Sequence, residues 1–470
     1  MRRLTPEIFA ALFAGLIVCF ALGVPLMDDD LFWWTPKALL VAESGPSWVL
    51  SGELPASLLP ELDVPRQWEG GLPDYGHPPL WFWWLGAWLK VLGASARSVH
   101  LAVLPVALAT GWGLAALLRR MGGVRAAWTA SAILICPPIV AQLWRGDTDV
   151  GLLALTTWAL VALMDGRWAR FAVLGALATW VKEPGVLLVV PAIVACRLER
   201  RFRWQAVVPL AALLAWGLLH KIQAGWAFAG AERIPENLIS WITDIGAVTW
   251  LVLGAQGRFL IWPFAAWGIW KAAGPRRGAW IVGSFTLVQI GFFGSINFLG
   301  GVERADSYTH VRYLGPGLSS GAAVGVAANP WAAVPLSVAS LWNLKKAHKR
   351  GPEASLCGAE TALALRAFHE AVPSVDGPLW VGSYAYAQLT RPVAGVVKTP
   401  RLNLMVFGPD TVPEVVSGHV LHAAYGEPLG RLQELGLEEV GRWSGRCGWV
   451  ALEKVQSRSN VTPGVPPVGR

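Results

Sequence analysis

Three consecutive aspartates, Asp28, Asp29 and Asp30, stand at the end of the first apolar run, about residues 8–26. Adjacent carboxylates repel one another, so at least one should hold its proton to higher pH than an isolated aspartate. Such a group can act as general base toward a hydroxyl; the same charges can equally mark a solvated helix end. Two more acids, Asp147 and Asp149, follow in Arg145-Gly-Asp-Thr-Asp. Lys37, Lys182, Arg258 and Arg312 fall at the expected outer ends of apolar runs, where a lipid phosphate would lie. A phosphate leaving group needs no protonation but does need cations held in a poorly solvated pocket. Long basic side chains also snorkel toward headgroups, the plainer reading of each, and Arg145 reads as such an anchor. His77 precedes two prolines; it either donates to a phosphate or acceptor, or caps a short helix.

Other patterns are weaker. The five cysteines include no CxxC pair, which removes the usual zinc-ribbon and thioredoxin-like arrangements. His419 and His422 have i, i+3 spacing but no third metal ligand. The tryptophans at 33–34 and 81–84 suit interfacial anchoring better than stacking on sugar rings. There is no nucleotide-binding glycine loop and no basic-aromatic stripe for nucleic acid. Asn460-Val-Thr is a sequon in the expected disordered end and says nothing about function.

The elements that must position these residues are membrane helices. The chain has 470 residues, 54% hydrophobic and only 15% charged, against about 25% charged in a soluble domain. Apolar runs near the ~20 residues that cross a bilayer recur to about residue 344. Residues 27–77 hold nine acids and two cations, Lys37 and Arg66, which places that loop outside under the positive-inside rule. Segment 78–92 is short and opens with two prolines, so it should lie in the outer interface rather than cross. The turns near Arg119–Arg125, Arg167–Arg170, Arg197–Arg203 and Lys271–Arg277, with Arg2 and Arg3, then share the inside: 14 cations against Asp165 and Glu199.

With the first run and spans at about 97–118, 126–143, 150–164, 169–181, 185–197, 205–220, 258–271, 280–298, 312–327 and 331–344, the count is eleven. The expected fold is a polytopic α-helical membrane protein of about eleven spans with a small C-terminal α/β soluble domain. Its expected divisions are a membrane domain at 1–344 with a long outer loop at 27–96, a soluble α/β domain at 345–458 on the outer (periplasmic, if the source is bacterial) side, and a disordered end at 459–470. In the tail, Glu360–Ala371 and Pro428–Leu437 read as helices. Leu379–Gly382, Leu402–Phe407 and Trp449–Leu452 read as strands. Cys357 and Cys447 either form a disulfide or stay as two buried thiols. The lysines and arginine at 345–350 argue for an inside tail instead.

Five elements now occur in order: Asp29-Asp30-Leu-Phe-Trp-Trp-Thr-Pro-Lys37; Tyr75-Gly-His77-Pro-Pro-Leu-Trp-Phe-Trp-Trp; Asp147-Thr-Asp149; Lys182-Glu183-Pro184-Gly185; and Arg312-Tyr313-Leu314-Gly-Pro316. Over residues 1–320 this resembles the GT-C glycosyltransferases, the bacterial relatives of protein O-mannosyltransferases and of the aminoarabinose transferase of lipid A. Their outside tail is also matched, which outweighs the basic cluster at 345–350. The resemblance implies membrane helices supporting a cavity at the outer face of a bacterial inner membrane. It implies sugar transfer from a polyprenyl-phosphate donor to a lipid, glycan or protein hydroxyl, with inversion at the anomeric carbon. By position Asp29 matches the base, with Asp28 and Asp30 as other registers. Asp147 or Asp149 matches an acid that orients the acceptor or helps bind a divalent cation. Lys37, His77, Lys182, Arg258, Arg312 and Tyr313 are the candidates for holding the donor phosphate. An acid, Glu183, replaces the glycine of the family's Lys-Gly-Pro turn. A transporter or flippase of a lipid-linked glycan is the rival expectation, for which mid-span charges and paired halves would speak.

Overall fold

The structure is a computed structural model that describes residues 4–24, 26, 34–48, 50, 77–227, 238–271, 276–296, 312–346, 352–372, 375–377, 379–382, 404–407, 418–423, 437–445 and 449–455. The three aspartates, the expected helix at 428–437 up to its last residue (Leu437, which opens a strand), Cys447 and the expected disordered end lie outside these residues, as does the side chain of Cys357. The chain falls into two compact units, one of Met1–Val24, Trp33–Gly52 and Leu72–Ser355 and the other of Pro25–Phe32, Glu53–Gly71 and Leu356–Arg470.

The first unit is helical. α1 (Pro6–Ala21) starts at Thr5, whose side chain accepts from the Ile8 amide at 3.4 Å, with proline in its first turn. It packs on α4 (Ala96–Ala127), a 32-residue helix capped by Ser95 and interrupted at Gly123, whose φ of 79° only glycine adopts without strain. Close packing needs Gly111, because a Cβ there would sit 2.2 Å from the carbonyl oxygen of Ala10. Gly111→Ala should force the two backbones apart and cost about 1–3 kcal/mol, read as a lower melting temperature in detergent. Gly291→Ala, with nothing within 4 Å of the added carbon, is the control that should not destabilise.

Between α1 and α4 come α2 (Thr35–Ser44) and α3 (Leu80–Leu92). α3 has 13 residues, about 20 Å, short for a crossing. Its indoles are tied to neighbouring backbone: Trp81 donates to Gly146 O at 2.7 Å, Trp83 to Ser47 O and Trp84 to Ala102 O, each at 3.0 Å. Those bonds make the 81–84 cluster chiefly packing.

The run expected to cross at 126–143 is divided by Cys136-Pro137-Pro138 into α5 (Ala130–Leu134) and α6 (Pro137–Trp144). α6 meets α7 (Thr148–Met164) at 116°. α8 (Trp168–Val181), α9 (Val189–Glu199) and α10 (Val208–Ala224) follow, then α11 (Leu238–Thr249), α12 (Ile261–Lys271), α13 (Arg276–Ser295), α14 (Gly315–Ala328) and α15 (Ala333–Lys346). Among the described residues, Ala96–Ala127, Trp204–Ala224, Leu238–Gly268 and Arg277–Ser295 are each long and apolar enough to cross a membrane. The bent α6–α7 pair makes a fifth if it is one span. The chain is a multi-pass membrane protein, but eleven spans are not found by length. Prolines and 3-10 turns shorten the other apolar runs; Pro6–Ala21, Leu80–Leu92 and Trp168–Val181 are apolar helices of 10–17 residues.

α14 explains why the 312–327 run is so weakly hydrophobic. It is buried from Gly315 to Ala327, and its glycines let partners approach: Ile261 at Gly325, Thr286 at Gly321 and Gln289 at Gly317. A central helix among other helices needs small residues rather than lipid-facing bulk.

The basic turns converge on one end of this unit. Arg119 pairs with Glu7 at 2.7 Å, Arg120 with Asp165 at 2.5 Å, and Arg277 with Glu199 at 2.9 Å. The hydrogen bonds from Arg120 lead the causes that hold the Asp165 carboxyl below the usual aspartate range, with Arg167 and Arg170 adding to them.

The second unit carries α16 (Pro352–Ala371) and a five-stranded sheet: β1 (Leu379–Gly382), β2 (Leu404–Phe407), β3 (His419–Ala423), β4 (Leu437–Ser444) and β5 (Trp449–Val455). The order is β2-β1-β3-β5-β4, parallel across β2, β1 and β3 and antiparallel across β3, β5 and β4. Leu365 and Phe368 of α16 pack on Leu379, Val381, Leu421 and Leu452. His419 and His422 lie on β3 rather than a helix, so their three-residue spacing is not a helical one.

Candidate functional site

The site lies in the first unit, at the opposite ends of α4 and α7 from the paired basic turns. α7 begins at Asp147, whose side chain accepts from the Asp149 amide at 3.1 Å. An acid there caps otherwise unpaired amides and is favoured by the positive end of the helix dipole. Asp149, one residue inside, is fully buried and receives the Lys182 ammonium at 2.6 Å. Lys182 ends α8, where the chain leaves the helix for an extended residue and a 3-10 turn, Glu183–Leu188. A Cβ at Gly185 would lie 2.4 Å from the Ala178 carbonyl carbon and the Thr179 nitrogen, so glycine lets this turn lie on the last turn of α8. The ammonium also sits 3.7 Å from the centroid of the Tyr313 ring, a cation–π contact.

Glu183 points to the other side and joins His77, whose Nδ1 donates to Oε1 at 3.0 Å. Burial alone would raise the Glu183 carboxyl, but the His77 and Lys182 charges and the His77 hydrogen bond outweigh it and hold the group below the usual glutamate range. The His77 ring lies 5.4 Å from that of Trp34, which stacks on Phe82 at 5.7 Å. Lys37 on α2 is buried, its ammonium 5.6 Å from the centre of the same Phe82 ring. Lys37, His77, Asp147, Asp149, Lys182 and Tyr313 are therefore linked through an aromatic wall and two ion pairs.

A pH test follows for the His77–Glu183 pair. Because the folded-state pKa of Glu183 is depressed, its contribution is complete above the unfolded glutamate value of about 4.3. It is lost as pH falls through the lower folded value. Wild type should exceed Glu183→Gln by about 1 kcal/mol or less at pH 6–7, and the two melting curves should converge at strongly acidic pH.

Other expected positions differ. Arg258 was expected at an outer span end; it lies inside the apolar stretch Leu238–Gly268 and is buried. The helix breaks there because Gln256 and Gly257 take left-handed conformations, φ 54° and 82°. That break leaves carbonyls without helical partners, and Arg258 donates to Val252 O at 3.0 Å, to Leu251 O and to Gln256 Oε1 at 2.9 Å. Its visible work is to hold the break. Arg145 was expected as a headgroup anchor but is buried, because it terminates α6 at the sharp turn into α7. Arg312 opens a 3-10 turn, Arg312–Leu314; its side chain lies outside the described residues, as do Asp28, Asp29 and Asp30. Glu183 as the partner of His77 was missed, although an acid beside the lysine was the available signal. Among the described residues no three His, Cys, Asp or Glu side chains converge on a metal position.

No family model matches the chain, and no curated protein matches it in sequence. Among solved structures, that of ArnT from Cupriavidus metallidurans bound to undecaprenyl phosphate aligns with a TM-score of 0.53 and 17% identity, over 94% of this chain and 98% of that one. The fold is GT-C-like. A looser match is the archaeal oligosaccharyltransferase AglB from Archaeoglobus fulgidus in complex with an inhibitory peptide and a dolichol-phosphate. Its TM-score is 0.46 at 10% identity, over 82% of this chain and 63% of that one, too distant to argue from. In the GT-C-like frame the linked residues above come from α2, the segment before α3, the α6–α7 turn, the end of α8 and the turn before α14.

Proposed function

We propose that this chain is an integral-membrane glycosyltransferase that moves a sugar from a polyprenyl-phosphate donor to a hydroxyl acceptor at the periplasmic face of a bacterial inner membrane. The observation that carries the reading is the buried Lys182–Asp149 pair under Tyr313, with Lys37 buried behind Phe82, on a GT-C-like fold. Cations withdrawn from water beside an apolar wall suit a lipid phosphate. The ArnT structure, bound to undecaprenyl phosphate, supports that class of donor.

In the proposed reaction an aspartate of the 28–30 triplet, Asp29 by register, removes the acceptor proton. The acceptor oxygen attacks the anomeric carbon opposite the phosphate, and the carbon–oxygen bond to phosphate breaks with its electron pair on that oxygen. One substitution on the opposite face inverts the anomeric centre. Lys37, His77 and Lys182 hold the phosphate as its charge grows, with Arg312 and Tyr313 beside them in sequence register. Asp147 and Asp149 organise the acceptor side, and Asp149 anchors the Lys182 ammonium.

The rival reading is a transporter, and Arg258 within an apolar helix is the observation that favours it. Its bonds to the broken helix account for it without transport. The two readings separate in sealed proteoliposomes given a panel of radiolabelled polyprenyl-phosphate sugars and a membrane extract as acceptor. Label passing to a new product supports transfer. No donor consumed, while a lipid or sugar crosses the bilayer, overturns it in favour of transport.

A further inference from the structure

At the end of the first unit that carries the paired basic turns, a groove of about 860 Å³ opens between the α4–α5 turn and the α14–α15 turn. Its size falls in the range of ligand sites, about 300–1,000 Å³. Arg125, Trp128 and Ser131 line one side, and Trp331, Ser337 and Val338 the other. Both indoles are exposed, as are Val334 and Val338 along α15, so one wall is apolar and open to the side.

The charges make the groove selective. Three arginines end α4, and two are neutralised: Arg119 by Glu7 and Arg120 by Asp165. Arg125 is exposed and, among the described residues, faces no acid. The groove thus combines one unpaired guanidinium, the two serine hydroxyls, two interfacial indoles and an apolar trough along α15. Indoles settle at the level of lipid headgroups, and basic pockets between membrane helices hold anionic headgroups.

We infer that this groove is a binding site for an anionic glycerophospholipid of the leaflet at the basic end, with its phosphate on Arg125 and one acyl chain along Val334 and Val338. A neutral lipid fits the trough but leaves the guanidinium uncompensated. The inference is independent of the glycosyl-transfer reading, since the groove lies at the other end of the helices from the Lys182–Asp149 pair.

The test is lipid retention by the purified full chain in native mass spectrometry, after incubation with phosphatidylglycerol or phosphatidylcholine of identical chains. Wild type should retain phosphatidylglycerol preferentially, and Arg125→Gln should lower that preference about fivefold, the weight of one interfacial basic residue. Arg125→Lys should keep most of it. Val338→Trp, which fills the trough on an exposed face, should reduce retention of both lipids. Equal retention of the two lipids by wild type overturns the inference. So does an Arg125→Gln variant with unchanged preference, or displacement of the lipid by millimolar inorganic phosphate alone.

Discussion

Replacing Lys182 by methionine should destabilise the protein by about 3–5 kcal/mol, because it removes one partner of a buried ion pair and leaves a buried carboxylate behind. Asp149 is fully buried, and the ammonium 2.6 Å away is its ionic partner as well as the cation over Tyr313. Methionine preserves most of the side-chain volume, so the loss reports charge rather than packing. The companion variant, Lys182→Met with Asp149→Leu, removes both charges and should recover most of the stability, since a hydrophobic replacement of a buried pair is often neutral or better. Transfer activity should stay lost in that double variant if the lysine holds donor phosphate. Recovery of both melting temperature and transfer would show that the pair only braces the α7–α8 packing. Melting in detergent and label transfer in proteoliposomes give the two readouts separately.

Much of this arrangement is legible in the sequence because it depends on charge at helix ends. Lys182-Glu183-Pro184 marks a helix stop, Asp147 a helix start, and the basic turns a common side; the pairs Arg119–Glu7, Arg120–Asp165 and Arg277–Glu199 bring those turns together. Pro78-Pro79 ahead of four apolar residues marks α3 as a short helix. What the sequence hides is where a polar residue meets backbone left over by a break. Arg258 looks like an interfacial cation until Gln256 and Gly257 are seen to unwind the helix before it. Hydropathy also treats all apolar runs alike, so it cannot separate α14, enclosed and glycine-rich, from a lipid-facing span. His419 and His422 show the reverse error: three-residue spacing carries no information until the segment's period is known, and this segment is a strand.

Asp29→Asn should lower transfer by about 10²–10⁴-fold, the usual weight of a positioned general base, while donor binding is retained. Asparagine keeps the shape and can still accept a hydrogen bond, but it cannot take the acceptor proton. Asp28→Asn and Asp30→Asn should each leave substantial activity and act through the pH profile. Removing a neighbouring negative charge makes the remaining base easier to ionise, so the acid limb of the rate profile should move to lower pH. If Asp28→Asn or Asp30→Asn instead abolishes transfer and Asp29→Asn only shifts the limb, the base is a different member of the triplet and the reaction class stands. If none of the three changes transfer by more than a few fold, the base lies elsewhere, and Asp147, at the N-terminus of α7, becomes the next residue to replace. The triplet is discriminating because a loss that followed charge alone would be nearly equal at all three, whereas a base must be singular.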